Sequence, residues 1–523
     1  MRPSHCLSFS LTLATLWLAA SASVAQSQSP TIQQLLAPDG EKDDFFGGSV
    51  AVDGNWLVVG ALGDDDADPD AGALYVYSRS GGPWALAQKV YAQDGTYEST
   101  GDSLGTSVAL HGNLIASGAP HDTNPAGVEA GSVFLFANQG GTWVQVKRLD
   151  SLDSPAYGYF GRQVALSDKV LVVTAMQSAF VFELEGSTWV QTAKLLPADG
   201  EDWGGPLPTA CSDDTILFGN TYDNTLGLHT GTVLVFEKVG GVWHETARLD
   251  PPDPKPDGEF GVSLALDGSR AVVGAPRCNS AVVFERGPSG WTYAATLTPN
   301  EYGQPYPYFG SAVALDGDRA TVGDSGDSHG DILYSGGLYD FALLSGTWTH
   351  VDHILPPDPI PYANLGVVLS LSGLDLLAGV PSGDPHLELP GAAYVIHLDS
   401  PIQFLDLGFA LAGVDGPPQL SATGTPLAGK LVQVALTHGK PLALGALVLG
   451  ASQAYVPLQG GMLVPSPDAI VPVPTDAFGT GGLAGAWPAG IPSGAIISLQ
   501  WWTADAAAVK DFAASNAIGI LEP

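Results

Sequence analysis

An all-β chain is what this sequence predicts: a seven-bladed β-propeller followed by a small β-sandwich-like C-terminal domain. Three observations carry that expectation. One line of sequence recurs at intervals of about fifty residues, the period of propellers and repeat arrays. Within each copy, short alternating runs meet at two-residue turns, as tight antiparallel hairpins require. After Pro401 charges thin out and Gly, Pro, Ala and Leu dominate, so a second domain begins there.

The clearest copies are "FGVSLALDGSRAVVGAP" from Phe260 and "FGSAVALDGDRATVGDS" from Phe309. Others start at Phe46, Leu104, Phe160 and Leu365, and a worn one, "WGGPLPTACSDDTILFGN", starts at Trp203. In the first copy a run from Ser49 to Val52 meets the turn Asp53-Gly54, and a second run follows from Leu57. A variable loop leads to a third strand, written "GALYVYS" at Gly72, "GSVFLFA" at Gly131 and "GTVLVFE" at Gly231. A Gly-rich turn leads to a fourth, marked by Trp84, Trp143, Trp189, Trp243, Trp291 or Trp348. One tryptophan per unit at a fixed strand position is the pattern of packing between sheets. Four antiparallel strands, seven times over, make a propeller.

The seventh unit stops at its third strand, "GAAYVIHLD", Gly391 to Asp399. The stretch "TIQQLLAPDG" from Thr31 matches the end of a fourth strand elsewhere, "QTAKLLPADG" from Gln191. Thr31–Leu36 is therefore expected to pair with Gly391–Leu398 and complete the last blade, removing two exposed sheet edges.

Phe-Gly at the start of the first strand and Gly-Ala-Pro at the end of the second resemble FG-GAP repeats, the unit of integrin alpha-chain propellers. The resemblance covers roughly residues 31–400 and is nearer to the short variant found in secreted bacterial proteins. It implies an integrin alpha-like propeller used for binding or cell adhesion. In integrins the hairpin between the two motifs can carry a D-x-D-x-D-G calcium loop. Here that hairpin is two residues, such as Asp267-Gly268, too short to gather the roughly six oxygens that Ca²⁺ takes. The family's metal residues are not carried over.

A separate acidic stretch, "GDDDADPDAG", follows the second strand of the first unit. Asp64, Asp66, Asp68 and Asp70 alternate there and are the candidate ligands for Ca²⁺, the one candidate cofactor; the competing reading is a solvated acidic loop. Antiparallel order puts the long loops, those after strands two and four, on one face. Long loops on a rigid scaffold are where binding sits. They carry Tyr97, Tyr157, Tyr159, Trp203, Tyr302, Tyr306, Tyr308 and Tyr362 among carboxylates, aromatics suited to stacking on a sugar or gripping a protein. The competing reading has them pinning the loops to the rim.

The ends and the charge bound the function. Residues 1–25 read as a secretory signal peptide: Arg2, an apolar core from Leu7 to Ala20, and small residues at Ser23-Val24-Ala25. The propeller then occupies 26–400 and the C-terminal domain 401–523. No later stretch is long and apolar enough to cross a membrane as a helix. A secreted or cell-surface monomer is expected. A formal net charge of −35 repels nucleic acid. With Cys6 removed, Cys211 and Cys278 allow at most one disulfide.

No catalytic role is expected. "GDSLG" around Ser103 and "GDSGD" ending at Asp327 imitate hydrolase strings, but Ser103 precedes a repeat anchor and Ser325 stands in a worn Gly-Ala-Pro. His350 and His353, three apart in an expected strand, should face opposite ways and share no metal. The function expected is a binding or adhesion module for a protein or carbohydrate. A secreted hydrolase on the same loop face and a purely structural surface component are the alternatives. In the C-terminal domain "KLVQVAL", "ALVLG" and "AIISLQWWTAD" read as strands, and Ala506–Ala514 as a short helical turn.

Overall fold

The repeats become sheets because each supplies two runs that are apolar on both sides. In the first, Leu57, Val58 and Val59 and, one strand on, Leu74, Tyr75 and Val76 are all fully buried. Strands covered on both faces read as continuous apolar runs, and the described elements offer only other sheets to cover them. A computed structural model describes residues 31–521, apart from 94–100, 152, 177, 197–207, 300–307, 331, 345, 382–389, 399–403, 409, 413–416, 425–430, 452, 459–460, 487–495 and 506–511. Among the described residues there are seven four-stranded antiparallel sheets in the part of the chain up to Leu398. Blade 1 consists of Ser49–Asp53, Trp56–Ala61, Ala73–Ser78 and Ala85–Val90. Blades 2 to 6 repeat that order over 107–150, 163–195, 209–249, 263–297 and 309–354. First strands neighbour one another around a closed ring: Ser49–Asp53 lies against both Ser107–His111 and Val368–Ser372. This part of the chain is a β-propeller.

Blade 7 takes three strands from the end of the ring, Val368–Ser372, Asp375–Val380 and Ala392–His397, and its fourth from the beginning. Thr31–Leu35 runs antiparallel to Ala392–His397, with Thr31 opposite His397 and Leu35 opposite Ala393. Leu35 is buried in a cluster that joins blade 7 (Leu377, Val395) to blade 1 (Leu57, Tyr75). Burying such a side chain contributes roughly 1.5–3 kcal/mol.

The repeat motif has a packing reason. A Cβ added at Gly118, the Gly of Gly-Ala-Pro in blade 2, would lie 1.8 Å from the carbonyl oxygen of Gly161, the Gly of Phe-Gly in blade 3. The same abutment closes the ring, where a Cβ on Gly379 would stand 2.1 Å from the Gly47 carbonyl oxygen. Neighbouring second and first strands meet backbone to backbone, and no side chain fits between. Phe46, Phe160, Phe260 and Phe309 fill the space beneath and are buried. Blade 3 carries Thr174 at the Gly-Ala-Pro glycine position, next to the worn copy.

The fourth-strand tryptophans pack between blades. Trp143 is 2 % exposed, in a cluster shared by Val58 and Val76 of blade 1 and Phe134 and Phe136 of blade 2. The Gln88 amide of blade 1 brackets its backbone, donating to the Trp143 carbonyl at 2.9 Å and accepting from its N–H at 2.8 Å.

Two expectations need correction. In blade 6 the fourth strand carries a bulge, with His350 opposite Phe341 but Asp352 opposite Asp340. The extra residue, Val351, shifts the alternation by one. His350 and His353 consequently share a face, their rings 5.6 and 4.1 Å from that of Tyr339. In the C-terminal region Phe512–Ala514 is a strand paired with Ile496–Ala504, not a helical turn; 506–511 lie outside the described residues. The described residues beyond Asp399 form a second compact unit. Its main sheet runs Phe404–Gly408, Ala517–Leu521, Ile496–Ala504, Leu444–Gly450, Ala469–Pro474, and a smaller one holds Gln419–Gly424, Leu431–Thr437 and Gly481–Ala486. Val432, Val434 and Leu436 of the small sheet bury against Leu447, Leu499 and Trp501 of the large one.

Candidate binding face

On the long-loop face, the junctions that follow blades 1, 2, 4 and 6 are held by the same backbone clasp. The connection after the fourth strand of one blade lies along that blade's own connection between strands two and three. Tyr157, Tyr159 and Phe160 donate N–H groups to the carbonyls of Val128, Glu129 and Ala130, at 2.8, 3.2 and 2.9 Å. Asp257, Glu259 and Phe260 do the same to Leu228, His229 and Thr230, and Tyr362, Asn364 and Leu365 to Leu333, Tyr334 and Ser335. A pairing of this kind requires left-handed backbone at fixed places: φ is +47° at Glu129, +60° at Tyr157 and +53° at Tyr159. For bulky residues that conformation is strained, and the surrounding ladder holds it.

Beneath each clasp lies a buried aspartate. Asp64, Asp122, Asp223 and Asp327 stand four residues after the last glycine, or its equivalent, of the second strand and are each 0–3 % exposed. Their carbonyls accept from the N–H of Gly72, Gly131, Gly231 and Gly336, where the third strand begins. Each carboxylate meets a basic side chain from the fourth strand: Asp64 and Lys89 at 2.7 Å, Asp122 and Arg148 at 2.6 Å, Asp223 and Arg248 at 3.8 Å, Asp327 and His353 at 2.8 Å. The basic group also rests on an aromatic ring of the third strand in three blades: Lys89 4.8 Å over Tyr75, Arg148 5.6 Å over Phe134, His353 stacked on Tyr339. A charge so deep is tolerated only when paired and hydrogen-bonded.

The four candidate calcium ligands are not brought together. Asp64 and Asp66 converge on the Lys89 ammonium, joined by Asp39 at 2.9 Å, while Asp68 and Asp70 are exposed. Burial works against the Lys89 charge, and its hydrogen bonds to Asp64, Asp66 and Asp39 more than offset this and hold its pKa above the ordinary lysine range. The ammonium occupies the place that the alternating carboxylates suggest for a metal, so this donor set does not fit Ca²⁺. Among the described residues no group of three or more His, Cys, Asp or Glu is arranged to hold a metal ion.

Of the aromatic residues assigned to this face, Tyr157 is 55 % exposed on its clasp. Tyr159 is half-buried, its ring edge-on to His121 at 5.3 Å, and a hydrogen bond to Glu129 raises its pKa. Tyr308 is half-buried under the Arg277 guanidinium, 5.5 Å from the ring centre, and donates its N–H to Asp324 at 2.8 Å. Tyr97, Trp203, Tyr302 and Tyr306 lie outside the described residues. The sequence reading missed the apolar members of the clasps. Val128, Leu228 and Leu333 are exposed, as is Tyr222; Tyr362, which the sequence does assign to this face, is exposed as well. Tyr334 and Tyr362 stack at 5.4 Å across one clasp. A signal for these positions exists in the chain: a buried aspartate, seven or eight residues of loop, a glycine, and a Lys, Arg or His 25 or 26 residues after the aspartate.

Ser103 sits in a clasp with φ +59°, its Oγ 3.5 Å from the Gly101 carbonyl oxygen, and Ser325 donates its N–H to Ser311. Cys211 and Cys278 are both free thiols. No helix among the described residues is long and apolar enough to cross a membrane.

The model of the FG-GAP repeat family matches residues 31–77, 84–136, 243–283 and 291–341. No curated protein matches the chain in sequence. Among solved structures, a protein from Lactobacillus plantarum aligns with 66 % of this chain and 89 % of its own at 13 % identity and a TM-score of 0.41. Hsv2 of Kluyveromyces lactis aligns with 64 % and 90 % at 11 % identity and a TM-score of 0.41. A protein from Desulfotomaculum acetoxidans aligns with 62 % and 96 % at 14 % identity and a TM-score of 0.38.

Proposed function

Because this chain is an FG-GAP repeat protein, we propose that it is a secreted binding or adhesion module, and that the clasp face of its propeller takes a protein partner at or near a cell surface. One observation carries the reading. The clasps hold apolar side chains in water on one face, with Val128 50 %, Tyr157 55 % and Leu228 57 % exposed. Apolar and aromatic groups clustered on one face and rimmed by carboxylates are the composition of a protein interface. Rigid backbone beneath them keeps the entropy cost of binding low. The leader-like residues 1–25 and the family's habit of working outside the cell support secretion.

The experiment is capture from cell-surface extracts on the immobilised full chain, followed by identification of bound proteins. A variant carrying Val128→Asp, Leu228→Asp and Leu333→Asp should lose the captured partner while keeping the wild-type melting temperature. Capture that survives all three changes would move the site elsewhere. A hydrolase screen of the same preparation separates the enzyme alternative.

A further inference from the structure

The opposite face carries a groove that the binding reading does not use. It lies where the short turns of blades 2 and 3 meet and encloses about 490 Å³. One wall is Trp189 with Leu184; the rim is His111, Asn113, Lys147 and Asp168.

Trp189 differs from its counterparts. Each of the other fourth-strand tryptophans is covered by a neighbour. Arg79 lies 4.8 Å over Trp84, Trp56 packs edge-on at 5.4 Å to Trp143, and Glu183 accepts the Trp243 indole N–H at 2.8 Å. Arg286 lies 5.9 Å from Trp291, and Arg270 5.5 Å from Trp348. Trp189 has no such ring, cation or hydrogen-bond partner among the described residues, and it is only partly buried. Trp189 lines the groove instead.

The rim offers both kinds of hydrogen bond. Asp168 accepts, Lys147 donates, and the Asn113 amide does both. The His111 imidazole meets Asp168 at 2.9 Å at the groove's edge. Mixed donors and acceptors of both signs suit neither a simple anion nor a cation. Beside a flat aromatic wall they suit a ring with an apolar C–H face and hydroxyls around its edge.

We propose that this groove is a carbohydrate-binding site that takes a single pyranose ring, with Trp189 as the stacking platform and Asp168, Asn113 and Lys147 as partners for its hydroxyls. The site is independent of the clasp face: the two lie on opposite sides of the propeller.

The test is saturation-transfer NMR on the full chain with the methyl pyranosides of glucose, galactose, mannose and N-acetylglucosamine. At least one should receive saturation, strongest at the ring protons that lie on an indole. Trp189→Ala should weaken binding at least tenfold, and Trp189→Phe should restore most of it. Trp189 also packs against the core shared by blades 2 and 3, so Asp168→Asn and Asn113→Ala, both at exposed positions, provide the second arm: each should weaken binding with an unchanged melting curve. The clasp-face triple variant should bind the sugar as wild type does. No transfer to any of the four glycosides would overturn the proposal, and so would binding that survives both Trp189→Ala and Asp168→Asn.

Discussion

Blades 2 and 3 are neighbours of the same strand plan, yet they treat the step between their second and third strands differently. In blade 2 that step runs from Ala119 to Ser132; in blade 3 only Met176 and Gln177 separate Ala175 from Ser178. Blade 2 buries Asp122 under its long connection and meets it with Arg148, while Ser132 Oγ hydrogen-bonds Asp122 as well. At the equivalent fourth-strand position blade 3 has Lys194, exposed, 5.2 Å over the Phe180 ring and 3.4 Å from the Asp153 carbonyl oxygen. Blade 5, whose step is a short 3₁₀ turn at Pro276–Cys278, has Thr296 there. The buried acid–base pair thus goes with the long loop. A long connection brings polar backbone onto the end of a sheet, and its groups need internal partners. The aspartate supplies them, and the basic residue makes the aspartate tolerable.

The largest expected effect comes from breaking that pair in one blade and the isolated cation in the other. Arg148→Ala leaves the Asp122 carboxylate buried without its counter-charge, which costs about 3–5 kcal/mol. Lys194→Ala removes a surface contact and costs roughly 0–1 kcal/mol. Urea unfolding of both variants measures the difference. Equal losses would mean that the pair does not anchor the loop.

A smaller effect sharpens the comparison within blade 6, where Asp324 is buried close to the Asp327–His353 pair. Burial raises its pKa from 3.8 to about 6, with the negative charge of Asp327 adding to the rise. The folded chain holds this proton more tightly than the unfolded chain does. The group's contribution to stability is therefore full below pH 3.8 and is lost as pH rises through 6. Asp324→Asn keeps a hydrogen-bond acceptor for the N–H groups of Tyr308 and Gly326 and removes the titration. The stability of wild type relative to this variant should fall between pH 4 and pH 7 by up to about 3 kcal/mol, as two pKa units imply. A pH-independent difference would place the carboxyl in a more solvated setting.

The smallest expected effect is none. In blade 1 the loop's one deep carboxylate, Asp64, is already paired with Lys89, so Ca²⁺ should not shift the melting temperature. Asp68→Asn with Asp70→Asn, both exposed, should leave it unchanged too. A calcium-dependent rise lost in that double variant would reinstate a metal at the acidic loop.

Much of the fold is readable in the chain because the repeat states it several times. Phe260-Gly261 and Gly274-Ala275-Pro276 mark one unit, and the two-residue turn at Asp267-Gly268 sets the hairpin between them. The missing strand after Ala392–His397 left one place in the ring, and Thr31–Leu35 has the alternation to fill it. The clasps were not readable. Val128, Leu228 and Leu333 look like ordinary loop residues, and their exposure depends on hydrogen bonds to a connection 29 residues further along. The face shared by His350 and His353 was misread because the bulge at Val351 leaves no mark in composition.

By itself, then, the sequence determined the period, the strand pattern, the hairpin turns and the glycines where blades abut, all of which follow from local backbone geometry and from apolar runs that must be covered on both sides. Only the tertiary structure decided which charges meet. Asp64 looks like one of four alternating metal ligands until Lys89, 25 residues later, is folded beneath it, and Trp189 looks like its five counterparts until, among the described residues, it is found without the ring, cation or hydrogen-bond partner that each of the others has. Charge pairing and aromatic covering are set by distances across strands and between blades, and a linear chain does not contain those distances.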